Sequence, residues 1–178
     1  MTDIQISPTI PTDLSRLMAL DHSTRSEYVW QLELRRDTGQ LTANFREVRL
    51  PRPIPLAYPY DPYALADEWS RKSMMYTAYQ GPDAIGYVAL SGLGAGLLRV
   101  TDLVVGTPFR RRGVGSALLA AAQAWAAERG ARRLMLEMQA KNLPAIRMAQ
   151  KHGFEFCGYN DHYYLTQDVA LFFARGLK

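Results

Sequence analysis

The alternation of apolar and polar positions divides this chain into two halves that declare their elements unequally. Ile4 to Ile6 reads as a short strand. A helix opens near Thr12, with Thr12 or Asp13 as candidate cap and Leu14, Leu17 and Met18 as its apolar stripe. From Glu27 to Arg36 and from Leu41 to Leu50 the chain alternates across an Asp37-Thr38-Gly39-Gln40 turn. Val29, Leu32 and Leu34 do not keep a period of two, so strand and helix both stay open there. Pro51, Pro53, Pro55, Pro59 and Pro62 predict a loop, because proline removes backbone donors. A second helix is expected from about Pro62 to Arg71. Met74–Gln80 and Ala84–Ser91 then read as a hairpin across Gly81-Pro82-Asp83.

The second half is plainer. Ser91 to Gly96 is a Gly-rich hairpin turn; its spacing does not fit a phosphate loop and no helix follows it. Leu97–Val105 is a strand, and Gly113–Arg129 a helix striped by Val114, Leu118, Ala121 and Trp125 and closed by Gly130. Arg133–Gln139 is a strand with Leu134, Leu136 and Met138 on one face and Met135, Glu137 and Gln139 on the other. Asn142 caps a helix ending before Gly153, and Phe156–Thr166 and Asp168–Ala174 close the chain as strands. The order predicts an α/β or α+β mixed sheet flanked by helices, in one domain spanning 1–178.

Composition narrows the classes. At 178 residues and 48% apolar the chain suits one sizeable core and is too apolar for disorder. No apolar run approaches membrane-spanning length, so no membrane partner is expected. Asp3 and Gln5 stand where a signal peptide would need basic and apolar residues, and a cytoplasmic location is expected. The single Cys157 excludes an internal disulfide and a multi-cysteine metal site, and reads as a small core residue. Charge is uneven: residues 1–95 hold 9 basic and 11 acidic side chains, residues 96–178 hold 12 and 6. The second half is therefore expected to meet an anion.

Where that anion would bind is suggested by Leu103-Val104-Val105, a short loop with Arg110, Arg111 and Arg112, and Gly113-Val114-Gly115-Ser116 at the mouth of the long helix. A helix N-terminus leaves several N–H groups unpaired and carries partial positive charge. Glycines let a phosphate come close to those amides. No Lys-Ser/Thr pair follows, so a nucleotide P-loop does not fit. No aromatic residues interleave with the arginines, and no nucleic-acid partner is expected.

Arg110-x-x-Gly113-x-Gly115 after that strand resembles the acyl-CoA signature of the GCN5-related N-acetyltransferases (GNAT). Leu136-Glu137-Met138-Gln139, Asn142, Ala145, Ile146 and Gly153-Phe154 resemble its second half, and the run Leu136 to Ala145 is similar to a streptothricin acetyltransferase-like branch. The likeness is specific over 97–158. It implies a splayed sheet, with acetyl-CoA as co-substrate lying between strands that end near Val105 and Gln139. Leu103, Val104 and Val105 would hold its pantetheine arm, residues 110–116 its pyrophosphate, and Asn142 would touch it. No metal is implied, and a homodimer is admitted.

Acetyl transfer to an amine needs a neutral nucleophile, and holding the two substrates together supplies much of the acceleration. Glu137 matches a base of some relatives; a structural pairing with Arg133 or Arg147 stands open beside it. Asp102 is the second candidate, with backbone binding as its alternative. Many relatives place a Tyr acid where this chain has Ala149. Tyr164 is taken as its substitute, with Tyr159, Tyr163, His152 and His162 nearby in sequence.

Residues 27–72 depart most from the family core and are expected on the acceptor side. Tyr28, Trp30, Tyr58, Tyr60, Tyr63 and Trp69 gather there with Glu33, Asp61, Asp67 and Glu68. They suit either a pocket for a cationic amine, through cation–π and ionic contact, or a self-packed surface loop. The expected acceptor is a small-molecule amine, such as an amine-bearing antibiotic, or a peptide amine; a non-catalytic acyl-CoA-binding sensor that lost the Tyr at Ala149 stands as the alternative.

Overall fold

The computed structural model describes residues 4–177, so Asp3 lies outside the described residues. Seven strands form one mixed sheet: β1 (Ile4–Pro8), β4 (Met74–Gln80), β5 (Asp83–Gly94), β6 (Leu97–Val105), β7 (Arg133–Gln139), β9 (Ala170–Gly176) and β8 (Glu155–Asn160), in that spatial order. Only β6 and β7 are parallel; the other neighbours are antiparallel. A separate ribbon pairs β2 (Thr24–Asp37) with β3 (Gln40–Leu56).

One face of the sheet carries α3 (Val114–Glu128) and α4 (Leu143–Lys151) over a core of Val88, Leu90, Val100, Leu118, Leu134 and Phe173. The other carries α1 (Leu14–Met18) and the short α2 (Leu65–Glu68) over Leu14, Leu17, Leu65, Tyr87, Ala89 and Val104. The buried stripe of α3 is Val114, Leu118, Leu119, Ala122 and Ala126; Ala121 and Trp125 lie beside it, partly exposed.

A bulge in β6 decides which side chains reach which face. Ala89 pairs with Asp102 and Leu90 with Val100, so Thr101 is an extra residue. Before it, Leu98 and Val100 face the α3 layer; after it, Leu103 and Val105 do, and Val104 joins the α1 layer. Asp102 therefore shares Val104's face rather than Val100's.

The structure corrects several sequence expectations. Residues 27–36 are strand, and pairing puts Trp30, Leu32 and Leu34 on one face with Glu47, Phe45 and Ala43. Pro51, Pro53 and Pro55 lie inside β3 rather than in a loop. Pro51 and Pro53 fall in a register shift, where residues 50–53 of β3 lie opposite the single Glu27, so their missing donors interrupt no regular ladder pair. The ribbon is anchored where Trp30 and Phe45 meet Phe156, Tyr159 and Phe173.

The expected strand over 156–166 stops at Asn160, and a loop follows with positive φ at His162 and Gln167. Cys157 is exposed on the sheet's edge strand, not in the core, because β8 has a partner on one side only. Asp13 precedes α1, but its carboxylate accepts from the Ile10 amide and the Tyr79 hydroxyl instead of capping the helix. No helix among the described residues is long and apolar enough to cross a membrane.

Candidate active site

β6 and β7 are paired only from Leu97–Val100 to Arg133–Leu136. Beyond that point the ladder ends and the two strands are free of each other, with Thr101–Val105 on one side and Glu137–Gln139 on the other. A turn at Thr107–Phe109 leads from β6 into the arginine loop and α3.

Two helix N-termini face different fates. At α4 the Asn142 side chain accepts from the Ala145 amide at 3.2 Å, which closes that end and leaves its NH2 as a donor. At α3 the cap residue is Gly113, at φ +89°, with no side-chain cap. The first intrahelical bond runs from Ala117 to the Gly113 carbonyl, so Val114, Gly115 and Ser116 have amides with no partner inside the helix. A Cβ built on Gly113 meets nothing within 4 Å, and the residue is exposed. Those amides fit an anion such as a pyrophosphate.

Arg110 is committed elsewhere. Its Nε donates to the Val105 carbonyl at 2.8 Å and its Nη2 to the Asp21 carbonyl at 2.6 Å. It thus straps the end of β6 to the turn after α1. Thr107 donates to the Asp21 carboxylate at 3.0 Å, and hydrogen bonds from Ser23 and Thr107 hold that carboxyl below its ordinary range. Arg111 and Arg112 remain exposed at the mouth. Ser116 Oγ lies 2.9 Å from His152 Nε2, and burial lowers the His152 pKa, with Lys151 and Arg175 adding to it.

On the α1 side of the sheet the two candidate carboxylates are each surrounded by donors. The Glu137 side chain is only 5% exposed. Arg99 donates to its Oε2 at 3.0 Å, Tyr163 to the same atom at 3.2 Å, and Tyr164 to Oε1 at 3.2 Å; Tyr60 also donates to Oε1. Neither Arg133 nor Arg147 is its partner: Arg147 pairs with Glu47 at 2.7 Å. Asp102 accepts from Tyr58 and from Thr101 at 2.8 Å, and its ion pair is with Lys72 at 3.3 Å rather than with backbone amides. Burial, reinforced by the neighbouring carboxylates, raises the Tyr58, Tyr60 and Tyr164 hydroxyls far above their ordinary range. They stay protonated donors at every physiological pH.

Ala149 is wholly buried in the core under α4, so no hydroxyl is offered from that position. Of the named substitutes, Tyr163 and Tyr164 converge on Glu137, whereas Tyr159 packs on Phe45, His152 meets Ser116, and His162 sits beside Asp161 on the surface. The aromatic group of 27–72 divides: Tyr58 and Tyr60 reach the carboxylates, Trp30 packs into the ribbon's anchor, and Tyr63 is exposed. Arg99 and Lys72, which hold the two carboxylates, carry no signal in the sequence that marks them as site residues. Beside the ribbon lies a shallow cavity of about 370 Å³, walled by Trp30, Leu32, Lys141, Asp161 and Asp168.

An uncapped helix behind a diverging parallel strand pair, with two carboxylates of low exposure on the sheet's other face, suits an acyl-group transferase. The Acetyltransferase (GNAT) family model matches residues 42–154, and the chain belongs to that family: it is an acetyltransferase. Within the family its likeness is to a streptothricin acetyltransferase branch. The chain is 29% identical over 161 residues to streptothricin acetyltransferase of Streptomyces lavendulae, covering 86% of this chain and 82% of that protein. A solved nourseothricin acetyltransferase superposes with TM-score 0.81 at 29% identity, over 98% of this chain and 99% of the other. A Bacillus anthracis str. Ames protein assigned as a streptothricin acetyltransferase, solved in complex with acetyl coenzyme A, shares the fold: TM-score 0.79, 22% identity, 99% of both chains.

Proposed function

We propose that this enzyme moves an acetyl group from acetyl-CoA directly to a primary amine of a small cationic molecule, of the kind represented by amine-bearing antibiotics. The observation that carries the reading is the pair of donor-surrounded carboxylates, Glu137 and Asp102, on the face opposite the α3 and α4 layer. Two anions of low exposure at the strand divergence attract an ammonium group and can receive its proton. The named relatives support the acceptor class, and the acetyl-CoA-bound neighbour supports the co-substrate.

In this reading residues 97–158 form the co-substrate side. The co-substrate supplies an activated acetyl thioester. The backbone of Leu103, Val104 and Val105 and the Asn142 amide would line its arm; the amides of Val114, Gly115 and Ser116, with Arg111 and Arg112, would hold its pyrophosphate. Arg110 would fix the loop rather than touch phosphate. Residues 27–72 contribute Tyr58, Tyr60 and the ribbon to the acceptor side. The loop after β8 serves twice, bringing Tyr163 and Tyr164 to Glu137 and Asp161 and Asp168 to the cavity. Distal cationic groups of the acceptor would lie in that cavity.

The test is calorimetric titration with acetyl-CoA, followed by thiol release over an amine panel that includes streptothricin and nourseothricin. Binding with release on a small amine supports the proposal. Release only on peptide amines would move the acceptor class, and no binding would overturn it.

A further inference from the structure

Among the described residues four donors meet the Glu137 carboxylate: Arg99 and the Tyr163 hydroxyl on Oε2, and the Tyr60 and Tyr164 hydroxyls on Oε1. A carboxylate has about four lone-pair sites, so this one is filled. An incoming amine finds no free site on Glu137. What it meets is the set of hydroxyl oxygens that Glu137 has already engaged.

A phenol has one hydrogen, and its oxygen can also accept. In Tyr60 and Tyr164 that hydrogen is spent on Glu137, and burial raises both hydroxyls so far that neither gives it up to water. The two oxygens are left as acceptors only. An ordinary tyrosine can turn its hydrogen to whatever approaches; these two can receive an N–H and have nothing to offer a carbonyl.

The two sides of the carboxylate are unequal. On the Oε2 side the Arg99 guanidinium stands 3.0 Å away and repels a cation. On the Oε1 side stand the hydroxyls of Tyr60 and Tyr164. Both bond the same atom, so they lie no more than two hydrogen-bond lengths apart, roughly 6 Å, a gap that one nitrogen can bridge. The rings meet edge-on with centroids 6.1 Å apart. Tyr164, 5% exposed, forms the inner wall, and Tyr60, 47% exposed, the outer one. Glu137 is the first residue of β7 beyond the parallel ladder, which sets the pair at the strand divergence.

We propose that the phenolic oxygens of Tyr60 and Tyr164 select primary amines by accepting both N–H bonds of the reacting nitrogen. The inference rests on the amine-acceptor reading above. A primary amine freed of its extra proton keeps two N–H bonds and one lone pair. With both N–H bonds held by the tyrosines, the lone pair is turned away from them and is free for the acetyl carbon. An N-methyl amine has one N–H bond left, so one phenolic oxygen meets a methyl group and goes unpaired. Glu137 acts here through the tyrosines, fixing where their hydroxyls point. Asp102 accepts from Tyr58, Thr101 and Lys72, which leaves it a site for the ammonium's proton.

The test uses the full chain, acetyl-CoA, the best primary amine of the panel and its N-methyl derivative. In the wild-type enzyme the primary amine is expected to lead in kcat/KM by about tenfold or more. Tyr60→Phe keeps the ring and removes one acceptor. It is expected to lower kcat/KM for the primary amine about tenfold and to change the N-methyl amine less than about twofold, with acetyl-CoA affinity unaltered. Tyr164→Phe is expected to do the same, whereas Tyr163→Phe, on the Arg99 side, should slow both amines by one common factor. Mere relief of crowding in Tyr60→Phe would raise the N-methyl amine without slowing the primary one, and a purely supporting role would slow both alike. Either result overturns the inference and leaves amine transfer standing. Should Tyr164→Phe not fold, Tyr60→Phe decides by the same two criteria. Acetyl-CoA binding with no amine acetylated would overturn the amine-transfer reading itself, and this inference with it.

Discussion

The proposed co-substrate side and the proposed acceptor side of this molecule are built from different materials. On the first, the groups that would meet the ligand are backbone amides and carbonyls of one continuous strand, loop and helix. Their arrangement depends on φ at Gly113 and on an uncapped helix end. On the second, the groups are side chains delivered by segments far apart: Tyr58 reaches across 44 positions to Asp102, and Tyr60 across 77 to Glu137. A backbone site tolerates most side-chain changes and fails when geometry changes. A side-chain site does the reverse.

The largest expected effect attacks the backbone site. Gly113→Glu sets a carboxylate where a phosphate would lie and forces an L side chain into the left-handed region, a strain of about 1 kcal/mol. Titration is expected to show acetyl-CoA affinity reduced more than about 100-fold, near 3 kcal/mol. Gly113→Asn, which tolerates that φ, should keep affinity within a few-fold. Equal losses in both would mean that the glycine matters for room alone.

Next is Glu137→Gln, which removes a charge from the side-chain site. We expect kcat to fall by about 100-fold, within the span of acid–base groups and their electrostatic partners, with acetyl-CoA affinity unaltered. A parallel loss of affinity would show that the two sides are not separable. Trp30→Ala tests the ribbon's anchor and should cost about 2 kcal/mol in urea unfolding, since the indole packs against Phe45, Phe156 and Phe173. Acetyl-CoA affinity should survive it.

The smallest effect concerns His152. Its folded-state pKa is lowered, so the unfolded chain binds a proton more readily. The stability it contributes is complete above the unfolded value of about 6.5 and is lost as pH falls through the lower folded value. His152→Asn should flatten that acid-side slope slightly in thermal melts recorded from pH 7.5 to pH 5, measured against wild type.

The same contrast explains what the sequence disclosed. β6 and β7 end where the apolar pattern ends, and the Asn142 cap and the closing Gly130 at φ +71° are local events. The prolines of β3 misled because two of them sit in a register shift, which has meaning only once the partner strand is known. Val29 broke the period because it lies on the face opposite Trp30, Leu32 and Leu34. Tyr163 and Tyr164 belong to a loop because their hydroxyls are drawn to Glu137, 26 and 27 positions away. His22 carries no motif at all, and its contact with the Tyr87 hydroxyl spans 65 positions.

Thr101, the extra residue in β6, has a consequence for how the chain tolerates length changes. It acts as a frameshift within a strand: the four positions after it are read on the opposite face from those before it. Deleting Thr101 would set Asp102 directly after Val100, on the face it already holds, so the bulge would vanish while Asp102, Leu103, Val104 and Val105 kept their sides. Deleting a residue from the regularly paired stretch that follows, such as Leu103, would instead turn Val104 and Val105 over, so an indel scan would score Thr101 as more permissive than its neighbours. A single strand thus serves two chemistries, apolar support on one side and a carboxylate on the other.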